Sequence, residues 1–427
     1  MTDLSAQPVR RSRRRRIWLF LVIAMVLLLV AYGGLDLWAG YKVRAQIARI
    51  EARYGSLNED TLRLRPVPAA DNRARIVRAA AALIIPAPDT SKTYQFVSRE
   101  PSFPVAPEVR AFAEANRPAT SLAAEIPTRS QSNWDIEPRD PGNQPNLLEI
   151  RTLSNALYIT ALLEIEAGRA DEASKTVISG LAVAASLGRE WLLVPQLVRI
   201  AVAVEHLEGV EEVIVRSEPS KMALEELARW LRQSREPNPI QNGLVGEMKS
   251  ANGVLETLET GGRRALDSYD ARFWTSPLAR LLGRPFIRLA RARYLQEIGR
   301  LLDVQSGPRP RPASAGYRMP PIWDVSGRLA YLSIPGLERS IETGDMFISA
   351  LSATEIGVAL RRYRLDRGSY PDDLSVLSPS YLAAVPIDPF TGNPPVYARQ
   401  GAGFTLHATS GMSKAPLKSA LDWKVEK

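Results

Sequence analysis

Residues Ile17 to Leu35 form an unbroken apolar run, IWLFLVIAMVLLLVAYGGL, directly behind Arg10, Arg11, Arg13, Arg14, Arg15 and Arg16. As a helix, such a run rises about 28 Å at ~1.5 Å per residue, close to the ~30 Å hydrocarbon core of a bilayer. A charged side chain at that depth costs ~2.5–3.5 kcal/mol on insertion scales, and the run holds none. The arginines are expected to stay in the cytoplasm, with the chain after residue 35 outside it. The expected address is therefore the inner (cytoplasmic) membrane, single-pass, with the bulk of the chain extracytoplasmic, in the periplasm. Trp18 at one end and Tyr32, Trp38 and Tyr41 at the other suit the aromatic belts of a bilayer. The alternative is a cleaved signal peptide. A secretory apolar region is shorter, about 7–15 residues, and ends at an Ala-x-Ala-like site. Trp38-Ala39-Gly40 and Ala31-Tyr32-Gly33 are weak substitutes for one.

The net charge of +9 mostly belongs to this anchor. Residues 1–16 carry six arginines against Asp3, which leaves only +4 for the rest of the chain. A near-neutral outward domain gives no footprint for nucleic acid. The chain has no cysteine, so disulfides, thiol nucleophiles and thiolate metal sites are excluded, and the exported part must rest on packing. With 45% hydrophobic residues it is long enough to do so.

The fold class read from periodicity is mainly α. After a basic tail (1–16) and the transmembrane helix (17–35), residues 36–85 read as juxtamembrane helices. Asp36 to Tyr54 extends the membrane helix, with Leu37, Val43, Ile47 and Ile50 along one side. Asp71 is placed to cap an Ala-rich helix from Asn72 to Ile85. Residues 86–145 hold ten prolines and read as surface loops, with a short helix from Pro107 to Asn116. Residues 146–304 form a helical domain. Helices from Asn146 and from Ala170, joined at Gly168, make an αα-hairpin. Further helices follow at Trp191–Val215, Ser220–Ser234 and Asn242–Thr260. The Gly168-Arg169-Ala170-Asp171-Glu172-Ala173 turn resembles tetratricopeptide repeats, but no second copy lies 34 residues away, so an irregular bundle is expected. Arg280, Arg284, Arg288 and Arg291 share one helix face, either solvated or set against anionic lipid or an acidic partner; Pro285 is placed to start that helix. Residues 305–340 read as a Pro-rich linker.

The last segment, 341–427, reads as a small α+β module. A helix from Ile341 to Asp366 ends at Gly368 and Pro371, and Val396–Ala398 and Phe404–His407 alternate as paired strands. Tyr363, Leu374, Tyr381 and Phe404 are its expected core. Tyr363, Leu365, Asp366, Gly368, Tyr370 and Pro371, then Asp388, Pro389, Gly392, Asn393, Pro394 and Tyr397, then Ala408-Thr409-Ser410-Gly411 resemble the globular tail of type II secretion major pseudopilins. The resemblance covers about a fifth of the chain and implies a helix packed on a small antiparallel sheet. The full layout is also similar to uncharacterised bacterial single-pass membrane proteins. Two family features are missing. No acid lies in residues 17–35 to set pilin register, and no carboxylate lies between Ser410 and Ala420 to hold the family's calcium.

No nucleophile-elbow, Ser-x-x-Lys, phosphate-loop or zincin motif is present. His206, beside Glu205 and Glu208, and His407 are the only histidines; each reads as an ordinary packing or surface residue rather than a ligand or base. The adjacent pairs Glu211-Glu212, Glu225-Glu226 and Asp372-Asp373 point about 100° apart on a helix and read as solvated faces or caps. No catalytic, cofactor-binding or metal residue is assigned, and no cofactor is expected. The expected function is a non-catalytic scaffold or adaptor that binds other envelope proteins. The alternatives are an accessory subunit of a type II secretion or pilus-like machine, and an extracytoplasmic hydrolase without a recognisable motif. A pocket lined by His206 or His407 beside an acid favours the hydrolase; a helical groove favours the scaffold.

Overall fold

The structure is a computed structural model. It describes residues 9–87, 101, 103–138, 144–260, 277–310, 320–321, 324, 327–328, 334–408 and 422–426. The chain is mainly helical, with one small antiparallel sheet among the described residues, and it divides into two compact units.

The first unit combines residues 1–57, 251–299 and 317–334. Its main element is α1, Val9–Tyr54, a continuous helix of 46 residues. The apolar run and the following stretch are thus one rod of about 69 Å at 1.5 Å per residue. It is the one helix among the described residues that is long and apolar enough to cross a membrane. Its apolar residues face away from the protein, Trp18 and Leu28 being 69% and 71% exposed. Beyond the run, α1 turns a different stripe inward. Ala39, Val43 and Ile50 are buried and Ile47 is half-buried, whereas Leu37 is exposed. The expected stripe is therefore right from Val43 onward and displaced at Leu37.

Two further helices complete this unit: the last turns of α9, Pro239–Thr260, and most of α10, Pro277–Ser306. Pro285 lies inside α10 and does not start it. The arginine face is also corrected. Arg288 pairs with Asp36 at 2.9 Å and with Glu259 at 2.6 Å. Arg291 reaches Glu259 at 3.1 Å, Glu256 at 3.2 Å and Asn252 at 2.8 Å. Arg284 lies 3.7 Å from Asp36. Three guanidinium groups thus meet three carboxylates, and Arg291 is buried. Such a cluster ties α1, α9 and α10 together, because removing one partner strands a desolvated charge. The Arg280 side chain lies outside the described residues.

The second unit combines residues 58–250, 300–316 and 335–427. Its first helix is α2, Arg73–Ala82, capped by Asn72, whose side chain accepts from Ala74 N at 3.1 Å. The cap is thus one residue later than Asp71. Asn72 Nδ2 also donates to the Asn133 carbonyl at 2.8 Å, which pins the proline-rich segment against the helix. That segment carries α3, Pro107–Ala115, and α4, Arg117–Ala123, with Val109, Phe112, Ala119 and Ala123 buried. Residues 88–100, 102 and 139–143 of the expected loop region lie outside the described residues.

The core is a three-helix stack: α5, Leu147–Glu166, α6, Ala170–Ser186, and α7, Leu193–Arg216. The α5–α6 hairpin turns at Gly168, which takes φ +73°, a conformation that disfavours any Cβ. α8, Lys221–Ser234, lies where a helix from Ser220 to Ser234 is expected, and Ser220 caps it. Small residues let the stack close. A Cβ at Gly209 would lie 3.0 Å from Val177.

The C-terminal part of the unit begins with α11, Ile334–Arg367, seven residues earlier than the periodicity predicts. Gly368, at φ +80°, ends it, and Asp373 caps the short 3₁₀ turn Leu374–Leu377. Strands β1, Val396–Gln400, β2, Gly403–His407, and β3, Asp422–Val425, follow in the order β1-β2-β3. Val396 faces His407 across the first pair, and Leu406 faces Trp423 across the second. Trp423 lies on α11 at Gly357, where a Cβ would come within 2.1 Å of the indole. Phe404, Leu374, Tyr370 and Trp423 are buried. Tyr363 and Tyr381 are only half-buried and meet edge to face at 5.6 Å, so the core forms around Tyr370 and Trp423 in their place. Residues 409–421 lie outside the described residues, and with them all of the third resemblance block but Ala408, and the segment lacking carboxylates.

Candidate functional site

Among the described residues of the second unit, polar side chains gather in a closed cluster and along an open groove. The first is closed. Ser154 of α5, Gly180 of α6 and Glu205 and His206 of α7 meet at the centre of the helical stack. Ser154 and His206 have no exposed surface, and Glu205 is 5% exposed. The Ser154 hydroxyl donates to the Glu205 carboxylate, and its Oγ lies 3.2 Å from His206 Nε2. The single hydroxyl proton goes to Glu205, so the histidine contact requires Nε2–H as the donor. Nδ1 is then a bare acceptor, and it has no partner. With its amide turned to satisfy both neighbours, Asn155 donates to the other Glu205 oxygen at 2.7 Å and to the Arg151 carbonyl at 3.2 Å. Gly180 is the reason the imidazole fits, since a Cβ there would fall 2.0 Å from Nε2.

Burial governs the titration of this cluster. It pushes Glu205 up to about 7, against the pull of Arg151 and the Ser154 hydrogen bond. It pushes His206 down to about 3, helped by the Arg151 charge. The imidazole is therefore neutral. A serine nucleophile needs its histidine between the hydroxyl and an acid. Here the hydroxyl stands between the two, and Nδ1 meets no carboxylate. This arrangement pins three helices together and presents no reacting atom to solvent.

The second place is open. A groove of about 840 Å³ runs between α3 and α4 on one side and α5 and α6 on the other. Leu157, Leu163 and Ile178 contribute apolar floor. Arg110, Arg117, Arg169 and Lys175 stand along it with Glu114, Glu164 and Glu226. Arg110 is held by a two-pronged contact to Glu166, at 3.0 Å to each oxygen. Glu164 accepts from the Thr176 hydroxyl at 2.7 Å, and burial raises its pKa while that bond lowers it. Arg117, Arg169 and Lys175 are exposed. The walls therefore offer both charges, several hydroxyls and an apolar base. That combination matches a polypeptide segment better than a small apolar ligand, whose pockets are enclosed and mostly hydrophobic.

The groove is not lined by either histidine. His407 lies exposed at the end of β2, opposite Asp422. The carboxylate pairs also take structural roles. Glu212 pairs with Arg216, Glu226 with Arg229 at 3.0 Å, and Asp372 with Arg399 at 2.9 Å, while Asp373 accepts from Ser375 N at 2.7 Å. Among the described residues no cluster of three His, Asp or Glu side chains is placed to hold a metal. Sequence reasoning finds the hairpin that builds one wall of the groove, through Gly168, and the helix at Pro107 that forms part of the opposite wall, but not α4, which the proline-rich segment adds to it. It also misses the Ser154–Gly180–His206 contact; small and polar residues interrupting apolar helices are the signal that marks it.

No protein-family model, curated protein or solved structure matches the chain.

Proposed function

We propose that the chain is a membrane-anchored extracytoplasmic scaffold that binds a segment of another envelope protein in the groove between α3–α4 and α5–α6. The groove itself carries this reading. It is open, mixed in charge and built on a rigid three-helix stack, as a tetratricopeptide-like hairpin that receives polypeptide would be. The anchor supports placement at the inner membrane with the arginine tail in the cytoplasm. The closed Ser154–Glu205–His206 cluster lends no support to the hydrolase alternative, because neither Ser154 nor His206 has any exposed surface that a substrate could reach. The pseudopilin-like tail favours partners in a secretion or pilus-like machine, since α11 lying on a three-stranded antiparallel sheet is the arrangement that resemblance implies.

Site-specific photo-crosslinking in intact cells tests the proposal. A crosslinker at Ser121, which lines the groove, should give a discrete protein adduct, and one at Leu148, exposed elsewhere, should not. Reversing Arg117 and Lys175 to Glu should abolish the adduct without changing the melting temperature. Equal labelling from both positions, or an adduct indifferent to the charge reversal, would refute groove binding. Recovery of secretion-machine subunits in the adduct would select the accessory-subunit form of the reading.

A further inference from the structure

The first turns of helix α10 carry apolar side chains that stand exposed among the described residues. Leu281 and Leu282 are each 54% exposed and Phe286 is 43% exposed. At 3.6 residues per turn they fall within about 140° of the helix circumference. Ile287, Ala290 and Leu295, further along the same helix, are buried, so the bare patch is confined to its first turns.

Contacts within the first unit fix the height of that patch. Tyr32, near the end of the apolar run, donates its hydroxyl to the Leu281 carbonyl. One turn further on, Asp36 receives Arg284 and Arg288. Leu281 is thus level with Tyr32, and the arginines are level with the first charge after the run. Leu37, Trp38 and Tyr41 of α1 are exposed at the same end.

Pro285 explains why the tyrosine is needed. Proline has no N–H, so the carbonyl four residues earlier, that of Leu281, loses its helical donor. In water such a carbonyl is solvated at no cost. In hydrocarbon or at its edge it must be satisfied internally. Tyr32 supplies that donor from the membrane helix itself.

We propose that the first turns of α10, around Leu281, Leu282 and Phe286, insert into the bilayer beside the C-terminal end of the anchor, with lipid acyl chains covering the exposed face. The chain then grips one leaflet with a second element, and α1 is held against α10 across the membrane boundary. This rests on α1 being a membrane span. The aromatic side chains at that level form the interfacial belt, and Arg284 reaches outward from the apolar patch toward Asp36, as a cation next to lipid is expected to do.

The lack of cysteine allows a direct test on the full chain. Single variants Leu282→Cys and Leu281→Cys, spin-labelled and reconstituted in phosphatidylcholine–phosphatidylglycerol vesicles, report collisions with oxygen and with a water-soluble nickel chelate. Val30→Cys serves as the anchor reference and Met222→Cys as the aqueous one; both residues are exposed. The labels at 281 and 282 should follow Val30, with oxygen collisions dominating, and Met222 should show the reverse. Nickel collisions dominating at 281 and 282 while Val30 stays in lipid would overturn the proposal and leave the anchor standing. Weak collisions with both reagents would mean a protein cover and would also overturn it. An aqueous Val30 would remove the anchor reading itself.

Discussion

Replacing Gly180 with Ala should destabilise the protein, although alanine is the better helix former. The gain in helix propensity is about 1 kcal/mol. Against it, the new Cβ would lie 2.0, 2.1 and 2.2 Å from Nε2, Cε1 and Cδ2 of His206. Restoring van der Waals contact needs a displacement of about 1.5 Å. The imidazole is fully buried and hemmed in by Ser154 and by Tyr158, whose ring lies 6.4 Å away edge-on. Overpacking of this kind costs about 1–3 kcal/mol. The Ser154–His206 contact would be lost as well, for about another 1 kcal/mol. The net effect is a destabilisation of about 1–3 kcal/mol, which lowers the melting temperature of a domain this size by roughly 2–10 °C. Thermal melts of the full chain in detergent, followed by helical circular dichroism, give the reading. The decisive comparison is a double-mutant cycle. In a His206→Ala background the clash is gone, and Gly180→Ala should be neutral or mildly stabilising. A Gly180→Ala variant that melts at or above the wild-type temperature would refute the reasoning, as would an equal effect in both backgrounds.

Three other outcomes are expected. Burial holds Glu205 up to about 7 from its ordinary 4.5; the stability supplied by its proton is full below about 4.5 and lost as pH rises through about 7. The melting-temperature difference between wild type and Glu205→Gln should therefore fall steadily over that range. His206, lowered to about 3, acts in the opposite sense, losing stability as pH falls below about 6.5, but it is common to both proteins and largely cancels; a flat difference would show that Glu205 does not titrate as its burial requires. Phe404→Ala should cost about 3–5 kcal/mol, because the ring is fully buried and packs on Tyr370 at 4.8 Å, and a urea midpoint close to wild type would contradict that packing. If the bilayer covers the first turns of α10 as proposed, thermal melts in lipid vesicles should show Tyr32→Phe costing about 1–3 kcal/mol by stranding the Leu281 carbonyl away from water, but little in a Pro285→Ala background, where residue 285 regains the N–H that serves it; equal costs in both backgrounds would show that the hydroxyl does not serve that carbonyl.

Much of the local structure was decided by nearest neighbours along the chain. A 19-residue apolar run needs no tertiary partner to be a long helix, because its backbone bonds are all internal to the segment. Gly168 and Gly368 stop helices because the left-handed conformation they adopt disfavours a side chain. Alternation places paired strands at Val396–Ala398 and Phe404–His407, and the structure extends them to Val396–Gln400 and Gly403–His407, which leaves a two-residue turn between them. What the sequence left open depends on atoms far apart in it. Arg288 and Arg291 look like a solvated stripe until Asp36, Glu256 and Glu259 arrive from two other helices. Tyr363 and Tyr370 are equally aromatic, and only the placement of Phe404 and Trp423 decides that Tyr370 is the buried one. Asn116 and Arg117 sit in a stretch broken by prolines, yet Asn116 bonds Ile85 N at 2.8 Å and thereby fixes the wall of the groove. His206 is one of two histidines in the sequence, but a glycine 26 positions earlier and a serine on a third helix make it a buried strut. Periodicity reports which face of a helix is apolar; only the assembled core decides which polar group on that face finds a partner, because hydrogen bonds and ion pairs act over a few ångströms while their members lie dozens or hundreds of residues apart.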